Sequence, residues 1–311
     1  MKVSKRIRAI VDMVSAGHAV CDVGCDHAYT SIALVESGKY PFAVASDVRP
    51  GPLAAAEKNI GEAGLAGRIV TCLSDGVPAL IHEMLPEGEK TLVISGMGGL
   101  LICRILEEAG DNAALFQEMV LSPQSDLDLV RRKLGEMGFA LVDEEMLIDE
   151  GKFYTIMRAA CRAEYRVISD VESGTVSPDM QDVAGKGSSV LRKKTSNEAG
   201  ITAIGDLKPE KGGSSTFDLE LPGITESGDS KSEKGAIGNV DYKEEAEALY
   251  GPLLLKKRHP VLREYLTKQK KIMEGILTSL RKAGLEGDGR FKEAERKLEV
   301  LHEAERYYEN P

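Results

Sequence analysis

Short apolar runs alternating with helically spaced segments through the first 160 residues constrain this chain more than any other feature. Residues 20–22, 42–47, 68–73, 91–95 and 119–121 read as short buried strands. Residues 27–36, 50–63, 77–85, 99–108 and 127–137 between them have helical spacing. Ser4 is placed as the cap of an opening helix whose apolar face is Ile7, Ile10, Val11 and Val14. Two last strand candidates, 140–148 and 153–159, are separated by Asp149-Glu150-Gly151-Lys152, a hairpin-type turn.

Strands that are apolar throughout, each followed by a helix, imply a mostly parallel sheet covered on both faces. Ending on a hairpin puts one antiparallel strand at or near an edge. Seven strands in that layout form the Rossmann-like α/β sheet of the class I methyltransferase fold. A dinucleotide-binding fold would instead end on a sixth parallel strand.

The turn out of the first strand narrows the ligand. Asp22-Val23-Gly24-Cys25-Asp26 is D-x-G-x-D, where a dinucleotide site would have G-x-G-x-x-G. A strand–turn–helix of this kind presents backbone N–H groups to a polar cofactor. Asp26, in place of the second glycine, would repel a pyrophosphate at close range. A nucleoside-type cofactor without phosphates, S-adenosylmethionine, fits. Asp22, Asp47 and Asp75 each follow successive apolar strands, and the carboxyl ends of such strands gather in one crevice. Asp47 is spaced to accept from both ribose hydroxyls, and Asp75, with the Gly76 amide, to read the adenine edge. Asp22 is suited to orienting the first loop or the methionine amino group. Gly96-Met97-Gly98-Gly99 ends the fourth strand, where this fold presents the methyl acceptor. Its glycines open room for a base ring and offer backbone N–H and C=O groups, or else form a tight turn with helix packing.

The composition excludes several classes. No apolar run approaches the roughly 20 residues that span a bilayer, and no secretory leader follows the basic start, Lys2, Lys5 and Arg6. The five cysteines are scattered and lack a metal-ligand pattern, which indicates reduced thiols in a cytoplasmic setting and no metal site. Residues 1–160 form the catalytic unit, 161–241 a Gly/Ser/Asp/Lys/Glu-rich polar insertion, and 242–311 a helical unit. In the last, Leu262, Leu266, Gln269, Met273, Ile276 and Leu280 make an a/d seam and Phe291, Ala294, Leu298, Leu301 and Tyr308 a second stripe. The spacing predicts an antiparallel coiled-coil hairpin. Between Leu253 and Lys282 there are nine Lys/Arg against two Glu, on a chain of net charge −10. That concentration, including Lys256, Lys257, Lys270 and Lys271, predicts a nucleic-acid-binding face.

Ser4-Lys5-Arg6, Asp22-Val23-Gly24-Cys25-Asp26-His27-Ala28-Tyr29, Ser95-Gly96-Met97-Gly98-Gly99, and Tyr250-Gly251-Pro252-Leu253-Leu254-Leu255-Lys256 with His259-Pro260 together resemble the bacterial tRNA adenine(22)-N1-methyltransferase family. The resemblance covers residues 1–160 and 245–311. It implies methylation of N1 of an adenine in the tRNA D-arm region, with S-adenosylmethionine as cofactor and tRNA as partner; no protein partner is evident. The family's catalytic acid falls on Asp26. Methylation at N1 spreads positive charge toward the N6 amino group, and a carboxylate bonded to that group stabilises it or takes its proton. Tyr29 is then a candidate stacking surface and Arg6 a candidate phosphate contact. Where the family often has Gln-Pro-Asn after the fifth strand, this chain reads Leu121-Ser122-Pro123-Gln124.

Overall fold

The Ser4 hydroxyl accepts from the Ile7 amide at 3.2 Å, and α1 (Lys5–Met13) follows, burying Ile10, Val11 and Met13. The computed structural model describes residues 3–161 and 241–309. Nearly all of the expected polar insertion therefore lies outside the described residues.

Five strands, β1 (Ala19–Val23), β2 (Ala43–Asp47), β3 (Ile69–Leu73), β4 (Lys90–Ser95) and β5 (Glu118–Ser122), are parallel. β6 (Phe139–Asp149) and β7 (Lys152–Cys161) form the terminal hairpin, and β7 joins β5 antiparallel. The order is β3-β2-β1-β4-β5-β7-β6. It reverses between β1 and β4, so the cleft opens beyond their carboxyl ends.

β1 is buried along its whole length because both sheet faces are covered. On one face Val20 packs with Ile10 of α1, Ile32 of α2 (Tyr29–Glu36) and Leu53 of α3 (Pro50–Glu62). On the other, Cys21 packs with Ile81 of α4 (Ile81–Met84), Ile102 of α5 (Gly99–Ala109) and Val130 of α6 (Leu127–Glu136). Two predicted helices are shorter than their spacing suggests. α2 starts at Tyr29 rather than residue 27, because Asp26 and Ala28 take positive φ of 51° and 58°. α4 is a single turn, since Pro78 donates no amide and disfavours helical backbone at Val77.

The helical unit is α7 (Tyr242–Tyr250), α8 (Pro252–Lys256), α9 (Pro260–Lys282) and α10 (Gly289–Glu309). α9 and α10 run antiparallel: Lys270 pairs with Glu305 at 2.7 Å, and the Arg281 guanidinium lies 5.4 Å from the Phe291 ring centre. Leu262 and Leu266 are buried as the seam predicts, but farther along Leu277 is buried and Ile276 only half-buried.

The unit docks on the β6–β7 hairpin, where Met146 of β6 and Phe153 of β7 join Leu254, Leu255, Leu262 and Leu301 in one cluster. A buried ion pair fixes the contact. Glu144 accepts from Arg131 Nε at 2.8 Å and from the Leu253 amide at 3.0 Å. Arg131 Nη1 donates to the carbonyls of Ala248 at 2.5 Å and Leu249 at 3.1 Å. Gly251, at φ +95°, has no room for a side chain: a Cβ there would lie 2.8 Å from the Glu144 carboxylate. On either side of Glu144, Asp143 pairs with Lys257 and Glu145 with His259. Among the described residues no helix is long and apolar enough to cross a membrane.

Candidate active site

The turn after β1 is built by hydrogen bonds to β2. The Gly24 and Cys25 amides both donate to the Ser46 carbonyl, at 2.8 and 2.9 Å. The Asp26 amide donates to Asp47 Oδ2 at 3.2 Å, and Asn59 Nδ2 donates to the His27 carbonyl at 3.0 Å. Two non-glycine residues in the left-handed region within three positions store strain that these bonds hold in place. Gly24 takes φ +72°, a conformation that favours glycine. A Cβ there would sit 1.9 Å from Met97 Cε, so the β1 and β4 turns meet across the cleft at this point.

Asp22 is buried and accepts from the Ser31 hydroxyl at 2.7 Å. Burial pushes its carboxyl up to about 6, against the opposing pull of the Ser31 donors. The Asp22–Ser31 bond ties the end of β1 to the first turn of α2. Asp47 is also buried, and its Oδ1 accepts from the Arg49 amide at 2.9 Å. Asp75 is exposed and its Oδ1 lies 3.2 Å from Arg104 Nη2. Gly76 has φ +88° and faces Ile105.

At the end of β4 the four residues divide. Gly96, at φ +80°, faces open space bounded by Arg6 Nη1, 4.0 Å from where a Cβ would be. Gly99 does not open the cleft, and a Cβ on Gly98 would lie 3.1 Å from the Ser125 hydroxyl oxygen. Gly99 is buried, and a Cβ on it would lie 2.5 Å from the Ser125 carbonyl oxygen. Their role is close packing of the β4 loop on the β5 loop, reinforced by the Gln124 amide donating to the Met97 carbonyl at 2.8 Å. Met97 itself lines the cleft.

The acceptor side is more open. The Asp26 carboxylate is 60% exposed and lies 3.8 Å from both Arg49 Nη2 and His27 Nε2. Tyr29 is 41% exposed, its ring 5.6 Å from that of His27, so it stands at the surface rather than in the core. Arg6 stacks 5.1 Å from the centre of the Tyr154 ring while its amide donates to Asp149.

Four residues of this rim were not singled out from the sequence. Val48 and Leu73, each more than half exposed at the ends of β2 and β3, offer apolar faces beside Asp47. Position directly after an acid-terminated strand was the available signal for Val48. Arg49 and Tyr154 reach the rim only through the fold. Conversely, Lys257 and Lys270 are held by Asp143 and Glu305, while Lys256 and Lys271 are exposed. Among the described residues no cluster of His, Cys, Asp and Glu could hold a metal. The described cysteines are unpaired thiols.

These residues suit a phosphate-free nucleoside cofactor. A buried acid at the end of β2, exposed apolar side chains beside it and open space at Gly96 stand at the carboxyl ends of the strands. Fold and cleft together define a class I methyltransferase domain. A methyltransferase-domain family profile matches residues 3–157. The chain is 31% identical over 160 residues to a Bacillus subtilis tRNA (adenine(22)-N(1))-methyltransferase, covering 51% of this chain and 65% of that relative, just under two thirds of its length. It is 30% identical over 155 residues to a proposed tRNA methyltransferase of Mycoplasma pneumoniae, covering 49% and 69%. The chain belongs to the methyltransferase family that includes this Mycoplasma relative. The fold extends through the helical unit. The crystal structure of the B. subtilis m1A22 tRNA methyltransferase superposes with TM-score 0.63 at 22% identity, over 97% of this chain and 98% of that one.

Proposed function

We propose that this chain transfers a methyl group from S-adenosylmethionine to N1 of the adenine at position 22 in the D-arm of tRNA, in the cytoplasm. One observation carries the reading: the amide of Asp26 is bonded to Asp47 while its carboxylate faces outward. A single residue thus joins the acid placed for the cofactor ribose to the edge where an acceptor base arrives. Relatives named for this activity support the assignment.

When bound, S-adenosylmethionine supplies an electrophilic methyl group. Asp47 would accept from the ribose hydroxyls, Asp75 and Gly76 would meet the adenine edge of the cofactor, and Asp22 holds the turn through Ser31. On the acceptor side the Asp26 carboxylate accepts a hydrogen bond from the N6 amino group as positive charge develops on the ring, a contribution of roughly 10²–10⁴ in rate. Tyr29 offers a face for a base turned out of its stack, and the open space at Gly96 admits its edge.

The test is incubation with labelled S-adenosylmethionine and total bacterial tRNA, followed by mass spectrometry of the nucleosides. The expected product is 1-methyladenosine at position 22; any other modified nucleoside, or none, refutes the reading.

A further inference from the structure

Asp26 has two carboxylate oxygens, and the fold treats them differently. Its Oδ1 lies 3.8 Å from both Arg49 Nη2 and His27 Nε2. Among the described residues no donor is bonded to Oδ2. An imidazole is charged only when protonated, whereas a guanidinium keeps its charge. Arg49 is also the only Lys or Arg within ion-pair distance of Asp22, Asp26 or Asp47 among the described residues. It meets Asp47 through Nε, 3.6 Å from Oδ1. One guanidinium therefore stands between the acid proposed for the cofactor ribose and the acid proposed for the acceptor base.

The sequence builds that position. Pro50 opens α3 and pushes the residue before it to extended backbone, and Arg49 takes φ −107° and ψ 126° as the N-cap. Asp47 Oδ1 accepts from the Arg49 amide at 2.9 Å, two residues on, which closes a side-chain turn. The Arg49 main chain is thus fixed to a buried carboxylate, and its side chain returns past that carboxylate to Asp26. Asp26 has no comparable restraint of its own. Its carboxylate is 60% exposed, and the backbone bond to Asp47 leaves its side-chain torsions unfixed.

We infer that Arg49 is a positioning residue of the methyl-transfer site: it holds Oδ1 of Asp26 so that Oδ2 is presented to the exocyclic amino group of the acceptor base. The inference rests on the tRNA reading above and adds a residue that acts on the reaction through Asp26. A hydrogen bond from an amino group is directional, so a carboxylate free to rotate meets it in only a fraction of encounters. Holding the carboxylate by its other oxygen also keeps the guanidinium away from the ring on which positive charge develops.

The experiment measures the single-turnover methylation rate, tRNA Kd and cofactor Kd, with enzyme in excess so that slow variants stay measurable. Arg49→Ala is expected to lower the rate on the order of 10-fold and to leave both Kd values within about 3-fold of wild type. Asp47 keeps its two backbone donors in that variant. An ion pair this exposed adds little to stability, so the melting temperature should not move. Arg49→Lys, which keeps the charge without the planar fork, is expected to recover part of the rate. In an Asp26→Ala background, adding Arg49→Ala should change nothing further, since no carboxylate remains to be held. Arg49→Gln, closer in size, repeats the test should the alanine variant not fold. An unchanged rate in Arg49→Ala overturns the inference, as does an equal loss with and without Asp26. A loss confined to tRNA Kd makes Arg49 an RNA contact, and one confined to cofactor Kd makes it part of the cofactor site; both overturn the inference. All four results leave the methyl-transfer reading standing. Wild-type protein that forms no 1-methyladenosine overturns that reading and the inference together.

Discussion

Removing one partner of the buried Arg131–Glu144 pair should undock the helical unit. In Arg131→Met, Glu144 keeps the Leu253 amide but loses the Arg131 Nε bond of 2.8 Å, leaving a fully buried carboxylate without its counter-charge. The carbonyls of Ala248 and Leu249 lose their donor at the same time. Breaking a buried pair from one side costs about 3–5 kcal/mol. Against a domain stability of roughly 5–15 kcal/mol that is a large fraction. At about 2–4 °C per kcal/mol for a unit of 150–250 residues, it corresponds to a drop of roughly 10 °C in melting temperature. The loss should be local first. Hydrogen exchange measured by mass spectrometry should accelerate in residues 242–256 and in β6 before it does in β1 and β4. The double replacement of Arg131 by Met and Glu144 by Leu should recover much of the loss, because no buried charge remains. A melting shift below 2 °C for Arg131→Met, or exchange that accelerates uniformly across both units, would refute the argument that this pair clamps the helical unit to β6.

Three further outcomes follow from the cleft. Asp26→Ala should leave S-adenosylmethionine affinity, measured by calorimetry, within a few-fold of wild type while lowering turnover by roughly 10²–10⁴; equal losses in both would move Asp26 to the cofactor site. Gly24→Ala should weaken cofactor binding, and Met97→Ala added to it should restore only part. The second change removes the 1.9 Å clash but not the φ of +72°, so full restoration would show that the strain does not matter. Asp22, raised from 3.8 to about 6 in the fold, keeps a proton that the unfolded chain has already lost between those values. Folded protein then binds more protons than unfolded, so stability falls as pH rises from about 4 to 6, by on the order of 2–3 kcal/mol. Denaturant titrations of Asp22→Asn should show that component gone, and an unchanged pH profile would contradict it.

How much of this was legible in the sequence depends on the range of the interaction. The strand–helix alternation is local, and strands such as β4 were recognisable because burial on both faces favours a largely apolar run, as in Leu92-Val93-Ile94. The Ser4 cap is a three-residue event and was equally readable. The hairpin seam was placed to within one residue, Leu277 for Ile276, the precision that a half-polar seam with Gln269 inside it allows. Less legible were contacts between segments distant in the chain. Lys257 reads as part of a basic run, and the acid that pairs with it, Asp143, lies 114 residues back on β6. Gly98 and Gly99 are a pair with two physical uses, open space or close packing, and only the position of Ser125 and Asp126 chooses between them for Gly99.

Asp26 shows why the same residue could be legible in one respect and hidden in another. Its carboxylate was conspicuous in the sequence because it occupies the place where a phosphate-binding turn needs glycine. Its backbone carries the opposite information: the residue takes φ 51°, a conformation that Asp tolerates better than most residues, and its amide is committed to Asp47. The main chain thus ties the turn to Asp47, leaving the side chain, which has no part in that bond, exposed. Glycine would satisfy the backbone demand but supply no carboxylate, and glutamate would supply the charge with a poorer fit to the left-handed turn. Aspartate meets both requirements at this position, so the strained turn and the exposed acid are two consequences of one choice of residue.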